Sequence, residues 1–444
     1  MTFSQLKEPW IGEIPAEWGL TAIKRLVSVK ITDGPHETPE LDDDGIQFIS
    51  AEAIKNNQID FNLRRGFISP ELHELYCRKC KPQKNDIFVI KSGATTGNVA
   101  YVNVDFEFSI WSPLALIRCD ERLAFYKFVF YVLLSEVFRK QIELSWSFGT
   151  QQNIGMGVIE RLKVPLPSLP EQQRIAAYLD TSCVAIDAAV AAKRQQLETL
   201  DTLAAAIIHQ VVTQGLDLNV KKKPSGLDWL TEVPEHWQEK QIKRMCSLVR
   251  GQFTHRPRND PALYDGPHPF VQTGDITSAK KYIMTYSQTL NELGLSVSKR
   301  FPRGTLVMSI AANIGDVAIL DFEACFPDSM IGMIPGHKTN LDYLYYLMRA
   351  MKSIMLRSAV LSTQLNLNYV RIGTNFAAFP PKKEQEEIAE YLDAKEKDVL
   401  AVKETLNQQI STLLAYRKSL IHECVTGQKR ITEADVKHLT MTTN

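Results

Sequence analysis

The chain has no excess charge of either sign: 51 lysines and arginines balance 51 aspartates and glutamates over 444 residues. No global field announces a polyanionic partner, although a neutral total leaves room for a local basic face. Cysteine is sparse. Seven of them, an odd number scattered through a chain of this size, do not read as a disulfide framework and point to a reducing cytoplasm. Long apolar runs are missing too. The most apolar stretch, Phe125 to Phe138, is interrupted by Lys127 and Glu136; it is too short and too charged to span a bilayer and reads as a buried helix, with a counterpart at Leu341 to Met355. The opening MTFSQLKEPW lacks the charged-then-apolar pattern of a signal peptide. No GxxxxGK[ST] phosphate loop occurs. SGATTGN, Ser92 to Asn98, has glycines without the lysine, which argues against ATP hydrolysis. Metal chemistry is as poorly provided for. Pro327-Asp328 begins a nuclease-like pattern whose nearest Asp-x-Lys, Asp393 to Lys395, is far along the chain, and Cys77, Cys80 and His73 form a lone cluster without a fourth ligand, so ordinary thiols are expected and no metal.

What is present is repetition. WIGEIPAEWGLTAIKRLVS, Trp10 to Ser28, returns as WLTEVPEHWQEKQIKRMCS, Trp229 to Ser247. Phe48 to Ile54 corresponds to Phe270 to Ile276, and Asn85 to Val102 to Arg303 to Leu320; the last pair are β-branched runs around a glycine-containing loop, hence hairpins or tight strand pairs. A TQ-x-N element follows in each half, Thr150, Gln151 and Asn153, then Thr363, Gln364 and Asn366. VPLPSLPEQQRIAAYLD, Val164 to Asp180, is echoed by FPPKKEQEEIAEYLD, Phe379 to Asp393, and each opens a long polar segment with apolar residues at intervals of three and four. The first carries Ile175, Leu179, Cys183, Ile186, Val190, Leu197, Leu200, Ala204, Ile207 and Val211; the second Ile388, Leu392, Val399, Val402, Leu406, Ile410, Leu413, Leu420 and Cys424. That period is a helix seam. Roughly 43 residues at 1.5 Å each give helices of about 65 Å. Helices so long and so polar outside need a partner, and each is the cheapest partner for the other.

The expected fold is therefore α+β: two mixed α/β units, 1–165 and 229–379, each followed by a long helix, 166–215 and 380–430, with a linker at 216–228 and a tail at 431–444. The helices are expected to pair as an antiparallel coiled-coil spacer in a pseudo-two-fold tandem repeat, a dumbbell suited to measuring something long and itself nearly two-fold, such as duplex DNA.

With these elements in this order, the chain resembles the specificity subunit of type I DNA restriction-modification systems. The resemblance covers about residues 5 to 430 and rests on the helix starts at Leu166 to Ile175 and Pro380 to Ile388, the paired openings and the TQxN elements. It implies two target-recognition domains, each reading one half of a split, asymmetric DNA target, with the helices setting the unread gap. It further implies two modification subunits, adenine-N6 methyltransferases carrying S-adenosylmethionine, and restriction subunits using ATP and magnesium for translocation and cleavage. No cofactor and no catalysis are expected of this chain, and no membrane. Consistent with that, the acidic-or-Asn, Pro, Pro, aromatic tetrapeptide of an adenine methyltransferase is missing: Pro380 and Pro381 follow Phe379. The recognition subunit of a type IIB-like system shares every feature, and a coiled-coil protein scaffold is the reading from another class.

The duplication sorts residues by role. What both halves keep is architecture or partner docking; what diverges can read sequence. Trp10, Trp18, Trp229 and Trp237 are read as structural anchors. Lys24, Arg25, Lys243 and Arg244 are shared and suit phosphates or a solvated helix face equally. The shared TQxN residues are read as loop scaffolding, although Gln and Asn can read adenine. DNA-contact candidates in the first unit are Arg64, Arg65, Lys91, Ser92, Thr95 and Thr96, with Arg78, Lys79, Lys81 and Lys84 as a phosphate-type run. In the second they are Thr254, His255, Arg256, Arg258, Lys280, Lys281 and Asn313, with Lys299, Arg300 and Arg303 as the phosphate-type run. The acidic run Asp42 to Asp44 is expected away from DNA. Glu171, Gln172, Gln173 and Arg174, with Glu384, Gln385 and Glu386, recur where globule meets helix; they complement the helix dipole, and the resemblance implies that they dock the modification subunit. Ser168 with Glu171 fits a capping box that Lys382 and Lys383 deny the second copy.

Overall fold

The computed structural model describes residues 3–5, 10–145, 153–227, 229–311, 313–357 and 369–442. It divides into two compact units, the first built from two separate stretches, 1–193 and 407–444, and the second from one continuous stretch, 194–406. The TQxN residues Thr150, Gln151, Thr363, Gln364 and Asn366 lie outside the described residues.

In the first unit, the apolar runs pair as a four-stranded antiparallel sheet in the order Val99–Tyr101, Ile87–Ile90, Leu114–Ile117, Thr32–Asp33. The hairpin is the expected one, with Val99 opposite Val89. Ile87 to Ile90 are buried on both faces, which explains an unbroken apolar run in place of alternation. A second sheet runs Phe108–Ile110, Ile46–Ile49, Gly66–Ile68, its first pair parallel. The second unit repeats both orders: Val317–Leu320, Leu306–Ser309, Met330–Pro335, Cys246–Arg250, and Ala324–Cys325, Tyr264–Phe270, Gln288–Leu290. Each sheet there gains one edge strand, Tyr282–Ile283 and Arg300–Phe301. One topology thus underlies two interiors that agree in little beyond their strand pattern.

Each unit's opening segment is tied to its helix entry. Gly19–Ala22 pairs with Lys163–Leu166, and Gln238–Gln241 with Phe376–Phe379. The stretch expected as linker contains a strand, Lys222–Pro224, which pairs with Glu232–Pro234 as Phe3–Gln5 pairs with Glu13–Pro15. Trp10, Trp18 and Trp237 are buried, and Trp229 is half-buried with its Nε1 donating to the Phe376 carbonyl at 3.3 Å. The apolar helices are each two helices, Tyr126–Leu134 with Glu136–Ser145, and Leu341–Ala350 with Lys352–Arg357. At the first break Ser135 is extended, and its hydroxyl donates to the Val132 carbonyl at 2.7 Å, the local competition that makes serine a helix terminator.

The long helices are Leu169–Gln214 and Lys382–Thr426, of 46 and 45 residues. They run antiparallel. In the first unit Asp187 meets Arg417 at 3.0 Å, Lys193 donates to Gln409 at 2.6 Å, and Lys429 donates to the Tyr178 hydroxyl at 2.8 Å; in the second Lys403 pairs with Asp201. The seam is largely the expected one, with Ile175, Leu179, Cys183, Ile186, Val190, Ile388, Leu392 and Leu406 buried. Val402 is the exception, 46% exposed, because its neighbour Lys403 takes the facing position to reach Asp201. The helix ends go further than pairing. Ile208, Val211 and Val212 enter the core of the second unit, and Leu420, Ile421, Cys424 and Val425 that of the first, each fully buried aliphatic contributing about 1.5–3 kcal/mol. Leu169–Gln214 is, among the described residues, long and apolar enough by composition to cross a membrane, and 39% of its most apolar window is buried in seam and core.

All seven cysteines are free thiols. Burial pushes Cys80 up to about 12, and His73 shares hydrogen bonds with Ser109 at 2.8 Å and Cys77 at 3.4 Å. At the end of the second helix, burial and then Lys140 hold His422 below its ordinary value. The unfolded chain takes up this proton below about 6.5 and the folded chain resists it, so stability is full above that pH and falls as pH drops through it. Denaturant midpoints between pH 7 and 5 should show this slope, and His422→Gln should flatten it.

Candidate nucleic-acid interface

The candidate cations fall into three groups by what holds them. The first is the phosphate-type run of each unit. Lys81 pairs with Glu107 at 2.6 Å and Lys84 with Asp105 at 2.9 Å; at matching positions Arg300 pairs with Glu323 at 3.2 Å and Arg303 with Asp321 at 2.6 Å. The same two ion pairs recur in both halves. By the logic of the duplication this makes them edge architecture, and such solvent-exposed pairs contribute little to stability.

In the second group the cations are turned inward. Lys281, only 12% exposed, meets Asp342 at 2.8 Å and Asp393 at 2.5 Å beneath Tyr346. Burial and the Asp393 carboxylate hold the Tyr346 hydroxyl far above its usual range. Lys91, also 12% exposed, lies 2.6 Å from Asp33. Both lysines are largely covered, Lys91 against the buried Asp33 and Lys281 against Asp342 and Asp393, whose own side chains keep 31% and 45% exposure, so neither presents a free cation.

The third group is outward and preorganised. Arg65 stacks 4.1 Å over Trp111 and Arg64 4.5 Å over Phe67, geometry worth about 0.5–1 kcal/mol at exposed sites. Arg65 also faces Glu52 at 3.7 Å, and Arg64 donates to the Phe61 carbonyl at 3.1 Å. The acidic run sits beside them, since Asp42 bridges Phe67. In the second unit Arg256 donates to the Phe253 and His255 carbonyls at 2.8 Å, Arg258 reaches Asp328 at 2.5 Å, and exposed Thr254 is pinned by its N–H on the Val297 carbonyl at 3.1 Å. Asn313 donates to Thr277 at 2.9 Å. Ser92 bridges Asn153 at the hairpin loop, where Thr95 is exposed and Thr96 donates to Gly93 at 2.7 Å. Lys280, exposed, borders with Asp316 and Arg349 a cleft of about 830 Å³ in the second unit. A cleft of about 600 Å³ in the first unit is bordered by Thr95, Thr96 and Arg417.

The residues repeated at the helix starts are joints. Gln172 and Gln385 have no exposed surface. Gln172 accepts from the Phe125 N–H at 2.8 Å and donates to the Leu123 and Pro167 carbonyls; Gln385 accepts from the Asn340 N–H at 2.8 Å and donates to the Lys338 and Pro380 carbonyls. Glu171, 7% exposed, pairs with Arg430 at 3.1 Å. Glu384 accepts from Trp237 Nε1 at 3.0 Å and shares a hydrogen bond with His236 at 2.9 Å. Arg174 is half-buried. A docking role for Gln172 and Gln385 is thereby corrected: a side chain with no surface cannot touch a partner. Repetition alone could not separate docking from joinery, because both are kept by both halves.

The model of the type I restriction modification DNA specificity domain matches residues 15–199 and again 234–412. The chain belongs to this family. Among relatives of this specificity-subunit family, it is 24% identical over 439 residues to the MjaX specificity subunit of Methanocaldococcus jannaschii, covering 96% of each chain. It is 20% identical over 422 residues to the EcoKI specificity subunit of Escherichia coli K12, covering 91% of this chain and 86% of that one. The fold is similar to a chain from a type I restriction-modification assembly, with TM-score 0.73 at 16% identity over 93% of this chain and 98% of that one. It is also similar to the HsdS subunit from Thermoanaerobacter tengcongensis, with TM-score 0.53 at 16% identity over 95% and 99%. The two matched segments coincide with the two repeats, each spanning a globule and the greater part of its helix.

Gln172→Ala should destabilise the first unit by about 1–3 kcal/mol, the cost of stranding buried backbone groups, measured by chemical denaturation. Gln173→Ala, on the exposed neighbour, should be neutral.

Proposed function

We propose that this type I specificity subunit reads a bipartite, asymmetric DNA target, one unit per half-site, and recruits two adenine-N6 methyltransferase subunits and the restriction subunits. The observation that carries this reading is one topology built twice with divergent outer loops. Both units keep the strand orders and the buried glutamine joints, and they differ in the outward residues: Arg64 and Arg65 on aromatic rings in one, Thr254 and Arg256 in the other. A scaffold kept constant while its loops vary is how two half-sites of different sequence can be read by one chain.

On this reading the chain does no chemistry. S-adenosylmethionine, ATP and magnesium belong to the partner subunits, in the cytoplasm, and this chain supplies sequence choice and the gap between half-sites. The paired helices supply the gap, because their register fixes them against each other through contacts such as Asp187 with Arg417 and Asp201 with Lys403.

Mapping of modified adenine in cells expressing the modification subunit, with and without this chain, tests the function. A split, asymmetric motif present only with the chain is the expected result; co-purification without any motif would overturn it. A second measurement isolates the ruler. Four residues inserted after Lys193 and four after Leu406, where the two compact units meet in sequence, add about 6 Å of helix. The unread gap should grow by about two base pairs with both half-sites unchanged.

A further inference from the structure

In each unit a single carboxylate gathers several cations, and the place in the sheet is the same in both. In the first unit Asp33 ends the edge strand, with 8% of its side chain exposed. Lys79 and Lys91 each stand 2.6 Å from its oxygens and His36 3.2 Å. In the second unit the residue ending the equivalent strand is Arg250, and the carboxylate lies across the crossing on Asp328. Arg258 is 2.5 Å from it, Arg256 4.0 Å, and Arg250 donates to the Asp328 backbone carbonyl at 2.8 Å.

The frame around both clusters is common. A glycine follows the edge strand in each unit because the next strand passes too close for a side chain: a Cβ on Gly34 would fall 2.1 Å from the Ile110 carbonyl oxygen, and one on Gly251 2.2 Å from that of Pro327. Lys79 donates to the Gly34 carbonyl at 2.7 Å; its positional counterpart Ser298 donates to that of Gln252 at 2.9 Å. On this frame the charges are exchanged. An acid stands at position 33 where the second unit has Arg250, and Ser112 stands where the second unit has Asp328. Position-by-position comparison pairs acid with base and finds nothing shared, yet the product is the same.

One cation suffices to neutralise a carboxylate. Each cluster holds at least two, so one positive charge is left without a carboxylate of its own and is available to an anion. The excess faces outward: the side chains of Lys79 and Arg258 are 43% and 45% exposed. In the first unit the cluster borders a cleft of about 590 Å³ with Lys30 and Arg118 on its walls and Glu160 as an acid among them.

We propose that each cluster is a phosphodiester clamp that fixes one DNA backbone phosphate of its unit's half-site, with Lys79 and Arg258 making the contacts. The inference rests on the functional reading above and deepens it. Such contacts set register without reading bases, which is why their residues drift between the halves while the net charge at the crossing persists.

The test uses the complex with its modification subunits and a duplex carrying the mapped motif, with affinity measured against salt. Lys79→Gln and Arg258→Gln should each lower the slope of log affinity against log salt by about 0.9, the value of one neutralised phosphate, with the methylated motif unchanged. Lys79→Arg and Arg258→Lys should keep the slope. A single neutral methylphosphonate in the first half-site should weaken the wild type and leave Lys79→Gln unaffected. Unchanged slopes in variants that still co-purify with their partners would overturn the clamp, as would a changed motif, which would make these residues base readers. A wild-type complex with no preference for any motif would instead overturn the functional reading beneath it.

Discussion

An amphipathic helix of 45 residues cannot cover its own apolar stripe, and the architecture follows from how this chain solves that problem. Each long helix begins in the core of one compact unit and ends in the core of the other: Ile175 and Leu179 belong with the first unit, Val211 and Val212 with the second, and the second helix does the reverse. The first unit is therefore completed by the chain's last stretch, 407–444, while the second is the continuous stretch 194–406. Between the ends the seam is half-buried, since only one neighbour covers it there, and polar links such as Lys193 with Gln409 fix the register. The ends are packed in the cores, and the middle is joined by polar links.

The joint where each globule meets its helix depends on one amide side chain. Gln172 and Gln385 each satisfy one N–H and two carbonyls that the chain reversal leaves without partners. A glutamate could not do this, because it has no donor for the carbonyls, and a shorter asparagine would not span the three groups. Around the amide, the far end of the opposite helix closes in. Gly427 has φ +75° and a Cβ there would meet Pro15 at 2.5 Å; Arg430, just beyond, reaches Glu17 at 2.6 Å as well as Glu171. Both requirements, an amide and a side-chain-free turn, are visible in the sequence as the recurring EQ and TQG/TGQ pairs.

Periodicity was the most legible signal, because burial on one side of a regular helix or strand leaves a regular trace. The hairpins, the two long helices, their antiparallel pairing and most of the seam could be read from it. The helix breaks at Ser135 and Met351 could not, since both positions sit inside apolar runs whose pattern continues through them. Strand Lys222–Pro224 was hidden for the opposite reason: its polar, proline-containing sequence carries no apolar alternation, and only its pairing to Glu232–Pro234 makes it a strand. The candidate site was less legible than the fold. Lysine and arginine in a loop look alike whether they face solvent, as Arg64 does, or a buried carboxylate, as Lys91 does. The carboxylates that decide between these are distant in sequence: Asp33 is 46 residues from Lys79 and Asp393 is 112 from Lys281.

Duplication supplies an internal comparison that a single domain lacks, and it has to be applied to arrangements as well as to positions. Position by position, the Lys81 and Lys84 run resembles a divergent phosphate-binding segment. Compared as ion pairs, it is the same pair of bridges in both halves and belongs to the frame. Asp33 and Arg250 behave the other way: as positions they contradict each other, and as members of a charge cluster they agree. Selection for a net charge at a place constrains a sum over several side chains and leaves each term free, so sign can migrate across a strand pair while the field stays. Packing constrains individual positions instead, since a buried tryptophan or a crossing glycine has no neighbour able to take its place. That difference explains why Trp18, Trp237, Gly34 and Gly251 align between the halves while Asp33 and Arg250 carry opposite charge at one position.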